Sequence, residues 1–202
     1  MKENYSILIK GFDEPSDFVD TWSKMYKYSS IEYKYSDNIT RVFEDWEYFL
    51  ELFRWKNGMG NKISKGKMKP IEGFYHNRNI EIFKNLKNNF DWDIFEKEFE
   101  PTKSSTIWKI FLLHLINPEE FPIYDQHVFR FYKFVTTGEI EEIPNNNKAK
   151  YDSYKNGYKA WFNQLQKEYH LKSKKMDESF ITYGQVLKFL KRFPIEKKTD
   201  RV

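Results

Sequence analysis

A chain of 202 residues with 34 Lys and Arg against 30 Asp and Glu has a net charge of only +4, so its overall balance argues weakly for a polyanionic partner. The absence of cysteine excludes disulfides, thiolate catalysis and cysteine-ligated zinc or iron–sulfur clusters. An aromatic fraction of 19% with a mean hydropathy of −0.81 describes an apolar interior under a charged surface, and no apolar run nears the ~20 residues that span a bilayer. The length suits one well-buried domain or two small helical lobes around a shared cleft. The N-terminus lacks a basic region followed by an apolar stretch and a small-residue cleavage site, so the expectation is a soluble cytoplasmic protein.

In chain order, Tyr5 to Ile9 is the only short strand candidate. Pro15 and Asp17 open a helix through Tyr26 that sets Phe18, Val19, Trp22 and Met25 on one core face. Asp37 or Asn38 is placed to cap the next helix, where Val42, Phe43, Trp46, Phe49, Leu50 and Phe53 keep a period near 3.6 until Asn57-Gly58 stops it. Residues 56–69 then carry five lysines, no acid and three glycines. This reads as a mobile basic loop, either a solvated surface or a backbone-following nucleic-acid contact through Lys56, Lys62, Lys65, Lys67 and Lys69.

Ile80, Phe83 and Leu86 mark another helix, and Asp91 caps a shorter one bearing Ile94, Phe95 and Phe99 that ends before Pro101. A buried helix runs from about Ser104 to Ile116 and is closed by Asn117-Pro118. A proline-bounded turn leads to Asp125 and a helix with Val128, Phe131, Tyr132 and Val135 at helical spacing, ending at Thr137-Gly138. Residues 138–150 are too polar and rich in turn formers to be an element, so they form a lid or a surface loop. Tyr154, Tyr158, Trp161, Phe162, Leu165 and Tyr169 give a long helix with an aromatic stripe, and Phe180, Tyr183, Val186, Leu187 and Leu190 a last one. The tail 196–202 is charged and expected to fray. The fold class is therefore all-α: a single helical domain over 1–195, with room for two lobes (about 1–100 with the C-terminal helices, and 101–150) around a cleft near Asp125.

His76, His114, His127 and His170 show no paired metal-ligand spacing and no acidic cluster has calcium-loop spacing, so neither metal nor other cofactor is expected. His114, inside Leu112-Leu113-His114-Leu115, reads as a core histidine bonded to a backbone group.

Asp125, His127, Val128 and Arg130 follow the order aspartate, any residue, histidine, aliphatic, any residue, arginine. With the helix and proline turn before them, over roughly 103–135, they resemble the region of the catalytic aspartate in the helix-hairpin-helix DNA glycosylases. The resemblance implies an all-helical fold with a central cleft and a DNA partner. It also implies hydrolysis of the N-glycosidic bond of a flipped modified or mispaired base, with Asp125 as catalytic carboxylate. A lyase version would need a lysine ahead of Asp125, a position that Lys103 fits better than Lys109. The chain departs from the family in having no glycine between Gly73 and Gly138, so the glycine-rich, phosphate-gripping hairpin is missing or rebuilt.

A fixed carboxylate stabilises the positive charge that develops on the sugar and accepts a proton from water, whereas an Asp ahead of a helix can equally be a cap. Arg130 is suited to pair with a carboxylate or phosphate, and His127 to hydrogen-bond across the turn. Trp108, Tyr124, Trp55 and Trp46 are the aromatic candidates for a flipped base, with Tyr124 preferred because it adjoins Asp125 in a turn. Two rival readings remain: a nucleic-acid-binding module on the same scaffold, and an interaction protein that presents the aromatic stripe of residues 154–169.

Overall fold

The computed structural model describes residues 12, 14–58 and 63–191, and these are helical and irregular with no strand among them. The strand candidate at 5–9, Lys62 and the charged tail lie outside the described residues. The chain falls into two units. One comprises Met1–Tyr26, Asp125–Ile143 and Gln164–Val202; the other comprises Lys27–Tyr124 and Pro144–Asn163.

In the first unit, α1 (Pro15–Lys24) has proline at its start, α8 (Gln126–Thr137) is capped at each end, and α11 (Ser173–Leu190) packs against both. Phe131 of α8 joins them: its ring stacks on Phe18 at 5.5 Å and on Phe180 at 4.3 Å. Tyr183 closes edge-on to Trp22 at 4.8 Å, a geometry that suits the ring quadrupoles. Met25 departs from the expected core face. The helix ends at Lys24, and Met25, caught in the cap, is 59% exposed.

The second unit holds the helices α2 (Glu32–Asn38), α3 (Trp46–Lys56), α4 (Lys65–Phe74), α5 (Asn77–Asn88), α6 (Trp92–Phe99) and α7 (Thr106–Ile116). It also holds α9 (Asn147–Asp152), a π-helical turn (Ser153–Tyr158) and the start of α10 (Lys159–Tyr169). The expected helix start at Asp37 or Asn38 is corrected. Those residues end α2, a short 3₁₀ turn follows over Ile39–Arg41, and Asp45 is the cap of α3, accepting from the Glu47 amide at 2.8 Å. Val42 and Phe43 are still buried, so the apolar period marks the core correctly while the backbone between changes form.

The expected basic loop is corrected in the same way: Lys65, Lys67 and Lys69 lie on α4, which tolerates Gly66 and Pro70 because Ile71 and Phe74 bury its other side. Proline inside it removes only one amide donor. Asp91 caps α6 as expected, accepting from the Asp93 and Ile94 amides. α7 is apolar all round, and residues 109–116 are buried without exception, which makes it the central helix of this unit. The stretch 138–150 is irregular only until Asn146, whose side chain accepts from the Ala149 amide to start α9. Tyr154, Tyr158 and Phe162 are fully buried, so these residues of the aromatic stripe are core and are not presented as the partner surface of the rival interaction-protein reading.

Candidate functional site at the amino end of α8

Asp125 is half-buried, and one of its oxygens, Oδ1, accepts from the His127 amide at 2.7 Å and the Val128 amide at 3.2 Å. Both belong to the orphan donors of a helix start, so the chain order turn, Asp, helix fixes the carboxylate by local chemistry alone. At the other end Gly138 adopts φ 76°, the left-handed conformation that lets α8 stop there.

The next residues of the motif form a connected polar set. Arg130 is 5% exposed, and its fork donates through Nε and Nη2 to both oxygens of Glu142, at 3.1 and 2.9 Å. Its Nη1 lies 3.2 Å from His127 Nδ1, and because a guanidinium has only donors, Nδ1 must accept. The His127 ring also bonds the backbone of Gly184 on α11. Burial pushes the His127 ring below its ordinary range; the Asp125 charge raises it and Arg130 lowers it further. The imidazole is thus neutral at pH 7, with its proton on Nε2. The Glu142 carboxyl is held low chiefly by its bonds to Arg130, and Lys191 Nζ reaches its Oε1 at 3.1 Å.

Arg130 is therefore committed within the fold. Glu142→Ala leaves a buried guanidinium with His127 as its remaining partner, and the expected loss is about 2 kcal/mol after allowing for the solvent exposure of the carboxylate. Glu142→Gln, which keeps one acceptor, loses less. Denaturant midpoints of the two variants check this ordering.

The other predicted residues belong to the second unit. Lys103 is exposed and ion-paired with Glu100. Trp108 is half-buried with its ring 5.3 Å from that of Phe53. Tyr124, expected to face outward from a turn, is instead 1% exposed, because its ring packs on Tyr154 and Tyr158 and its hydroxyl donates to Ser153 Oγ at 3.3 Å. Lys56 is half-buried, whereas Lys65, Lys67 and Lys69 are exposed and Lys67 donates to Asn57 at 2.9 Å. Lys109, which fits the lyase position less well than Lys103, is the buried amine: it donates to the Glu100 carbonyl at 3.2 Å, and desolvation lowers its pKa.

Glu142 was not singled out from the sequence. The available signal was the run Glu139, Glu141, Glu142 soon after an arginine on a buried helix face, since a buried guanidinium requires a carboxylate. Gly184 carried no local signal at all.

The fold and this site define an all-α protein with a carboxylate-capped helix buttressed by a histidine, an arginine and a returning acidic segment. Comparison with protein-family models, curated proteins and solved structures finds no match for this chain. Among the described residues no helix is long and apolar enough to cross a membrane, and no cluster of His, Asp and Glu could hold a metal ion.

Proposed function

We propose that this chain is a DNA glycosylase-like enzyme that hydrolyses the N-glycosidic bond of a flipped modified or mispaired base, with Asp125 as the catalytic carboxylate. The observation that supports it is the half-buried Asp125 side chain, oriented by two backbone amides at the start of α8 and followed by the His127 and Arg130 of the motif. A carboxylate held that way stabilises the charge developing on the sugar without reorganising, and takes a proton from attacking water. His127 and Arg130 position the start of α8 against α11 and the acidic segment. Water is the preferred nucleophile, because Lys103 is exposed and occupied by Glu100.

The test is strand cleavage of duplex and single-stranded oligonucleotides carrying uracil, oxidised or alkylated bases, with alkali treatment. Asp125→Asn keeps the cap, since asparagine caps helices as well as aspartate does, but removes the charge. Excision is expected to fall by at least about 10²-fold with stability nearly unchanged. Equal activity in both forms removes Asp125 from the chemistry, and borohydride trapping of a Lys103 adduct would restore the lyase version.

A second reading, a binding module without catalysis, draws support from the exposed Lys65, Lys67 and Lys69 on α4. No excision of any substrate, with salt-sensitive DNA binding retained, would favour it.

A further inference from the structure

The segment that follows Gly138 does not leave α8 but returns along it. Glu141 pairs with Lys133 at 2.8 Å, Glu142 with Arg130 at 2.9 Å, and the Ile143 amide donates to Gln126 Oε1 at 3.1 Å. Three successive residues thus meet side chains from progressively earlier turns of the helix, ending at the turn capped by Asp125. The segment carries Glu139, Glu141 and Glu142, and the cations it faces come from two helices: Lys133 and Arg130 on α8, and Lys191 just past α11. Lys188, one turn before Lys191, is exposed, makes no ion pair among the described residues, and acts electrostatically on the same His127 ring as Asp125 does.

These pairs are unequal in strength. Arg130 is 6% exposed at its side chain and gripped bidentately, which anchors the segment through Glu142. The Lys133–Glu141 and Lys191–Glu142 pairs are partly open, with carboxylates exposed by 41% and 45%, and pairs of that kind are worth little and exchange readily with other anions. A carboxylate oxygen on a lysine and a phosphate oxygen on a lysine are the same interaction, an anionic acceptor on a compact ammonium.

We propose that Lys133, Lys188 and Lys191 form a phosphodiester-binding surface of the first unit, and that the Glu141 carboxylate on Lys133 and the Glu142 carboxylate on Lys191, with Glu139 adding to the negative charge of the segment, screen it until a nucleic-acid backbone displaces them from those lysines. Arg130 and Glu142 stay paired and hold the segment in place. The inference rests on the reading of the chain as one that acts on nucleic acid, and it adds the contacts that would bring a backbone to the helix carrying Asp125.

The experiment measures binding of a short single-stranded oligonucleotide by fluorescence anisotropy as salt is raised from about 50 to 200 mM. Lys133→Gln/Lys188→Gln/Lys191→Gln is expected to flatten the slope of log K against log salt by about 2, as three lost contacts require on a single strand. Lys84→Gln/Lys87→Gln/Lys97→Gln, with the same charge change on exposed positions of the second unit, leaves the slope unchanged. Glu139→Gln/Glu141→Gln, which spares the Arg130 anchor, is expected to bind at least about threefold tighter than Glu44→Gln/Glu81→Gln, its charge-matched control.

Equal slopes for the two lysine triples, or equal affinities for the two glutamate pairs, overturn the proposal, as does absence of binding by the wild-type chain. The excision assay on the lysine triple separates the two ideas. Excision at the wild-type KM in that variant leaves the role of Asp125 standing and removes this surface, whereas a raised KM with Asp125 intact supports the surface.

Discussion

Gly184→Ala is expected to destabilise the first unit by about 3 kcal/mol or more, lowering its denaturant midpoint beyond any surface change. A Cβ built at Gly184 would lie 2.0 Å from the His127 carbonyl oxygen and 2.6 Å from its carbon, distances no real Cβ adopts. The obstacle is backbone on a neighbouring helix, so no rotamer change relieves it; α8 and α11 must move apart by more than an ångström. That motion also pulls apart the rings of Phe131 and Phe180, which are 4.3 Å apart, and breaks the bond from His127 to the Gly184 backbone. The loss extends to the site, because the His127 amide is one of the two that hold the Asp125 carboxylate. Circular dichroism through a urea titration checks the loss, and a wild-type midpoint in Gly184→Ala would show that the helices pack less closely than this. Gly73→Ala, where nothing lies within 4 Å, serves as the control and is expected to be neutral or slightly stabilising.

The second large effect is a loss of stability between pH 6.5 and pH 4 that belongs to His114. This ring is fully buried on α7, with Nδ1 against the Phe121 carbonyl at 2.8 Å and Nε2 against the Tyr35 hydroxyl at 2.8 Å. Nδ1 therefore carries the proton and Nε2 accepts from tyrosine. Burial pushes the His114 pKa down to about 4, opposed by the Phe121 bond and assisted by Lys56. The folded value lies below the unfolded value of 6.5, so the unfolded chain binds the proton first as pH falls. Stability from this group is whole above pH 6.5, declines through the window, and levels off below pH 4, for a total of roughly 3 kcal/mol. Carboxylates held low, such as Glu51 and Glu142, shift stability in the same direction. His114→Gln isolates the histidine, since it keeps a donor and an acceptor but does not titrate. The difference in unfolding free energy between the two chains should shrink from pH 7 to pH 4; a constant difference would mean that His114 is charged or solvated in the fold.

How much of this was written locally can be judged from individual positions. Asp91, Asp125 and Gly138 announce helix ends because a cap satisfies donors or acceptors within four residues of itself, and the structure places helix ends at all three. Phe83, Val128 and Phe162 announce core through the 3.6-residue period, and all three are fully buried. The all-α class follows from such signals summed along the chain. By contrast, α4 is not legible locally because Gly66 and Pro70 argue against a helix, and only the burial of Ile71 and Phe74 outweighs them. Tyr124 looked like a turn residue, yet Tyr154 and Tyr158, thirty positions onward, enclose it.

The sequence by itself determined the all-α class, the caps at Asp91 and Asp125, the stop at Gly138 and the carboxylate at the head of α8, all products of interactions reaching a few residues along the chain. Tertiary structure alone decided that Arg130 grips Glu142, that His114 meets Tyr35 across 79 positions, and that Gly184 admits the His127 carbonyl. Charge pairing, burial and close backbone approach are properties of neighbours in space, and many different sequence separations can supply the same neighbour.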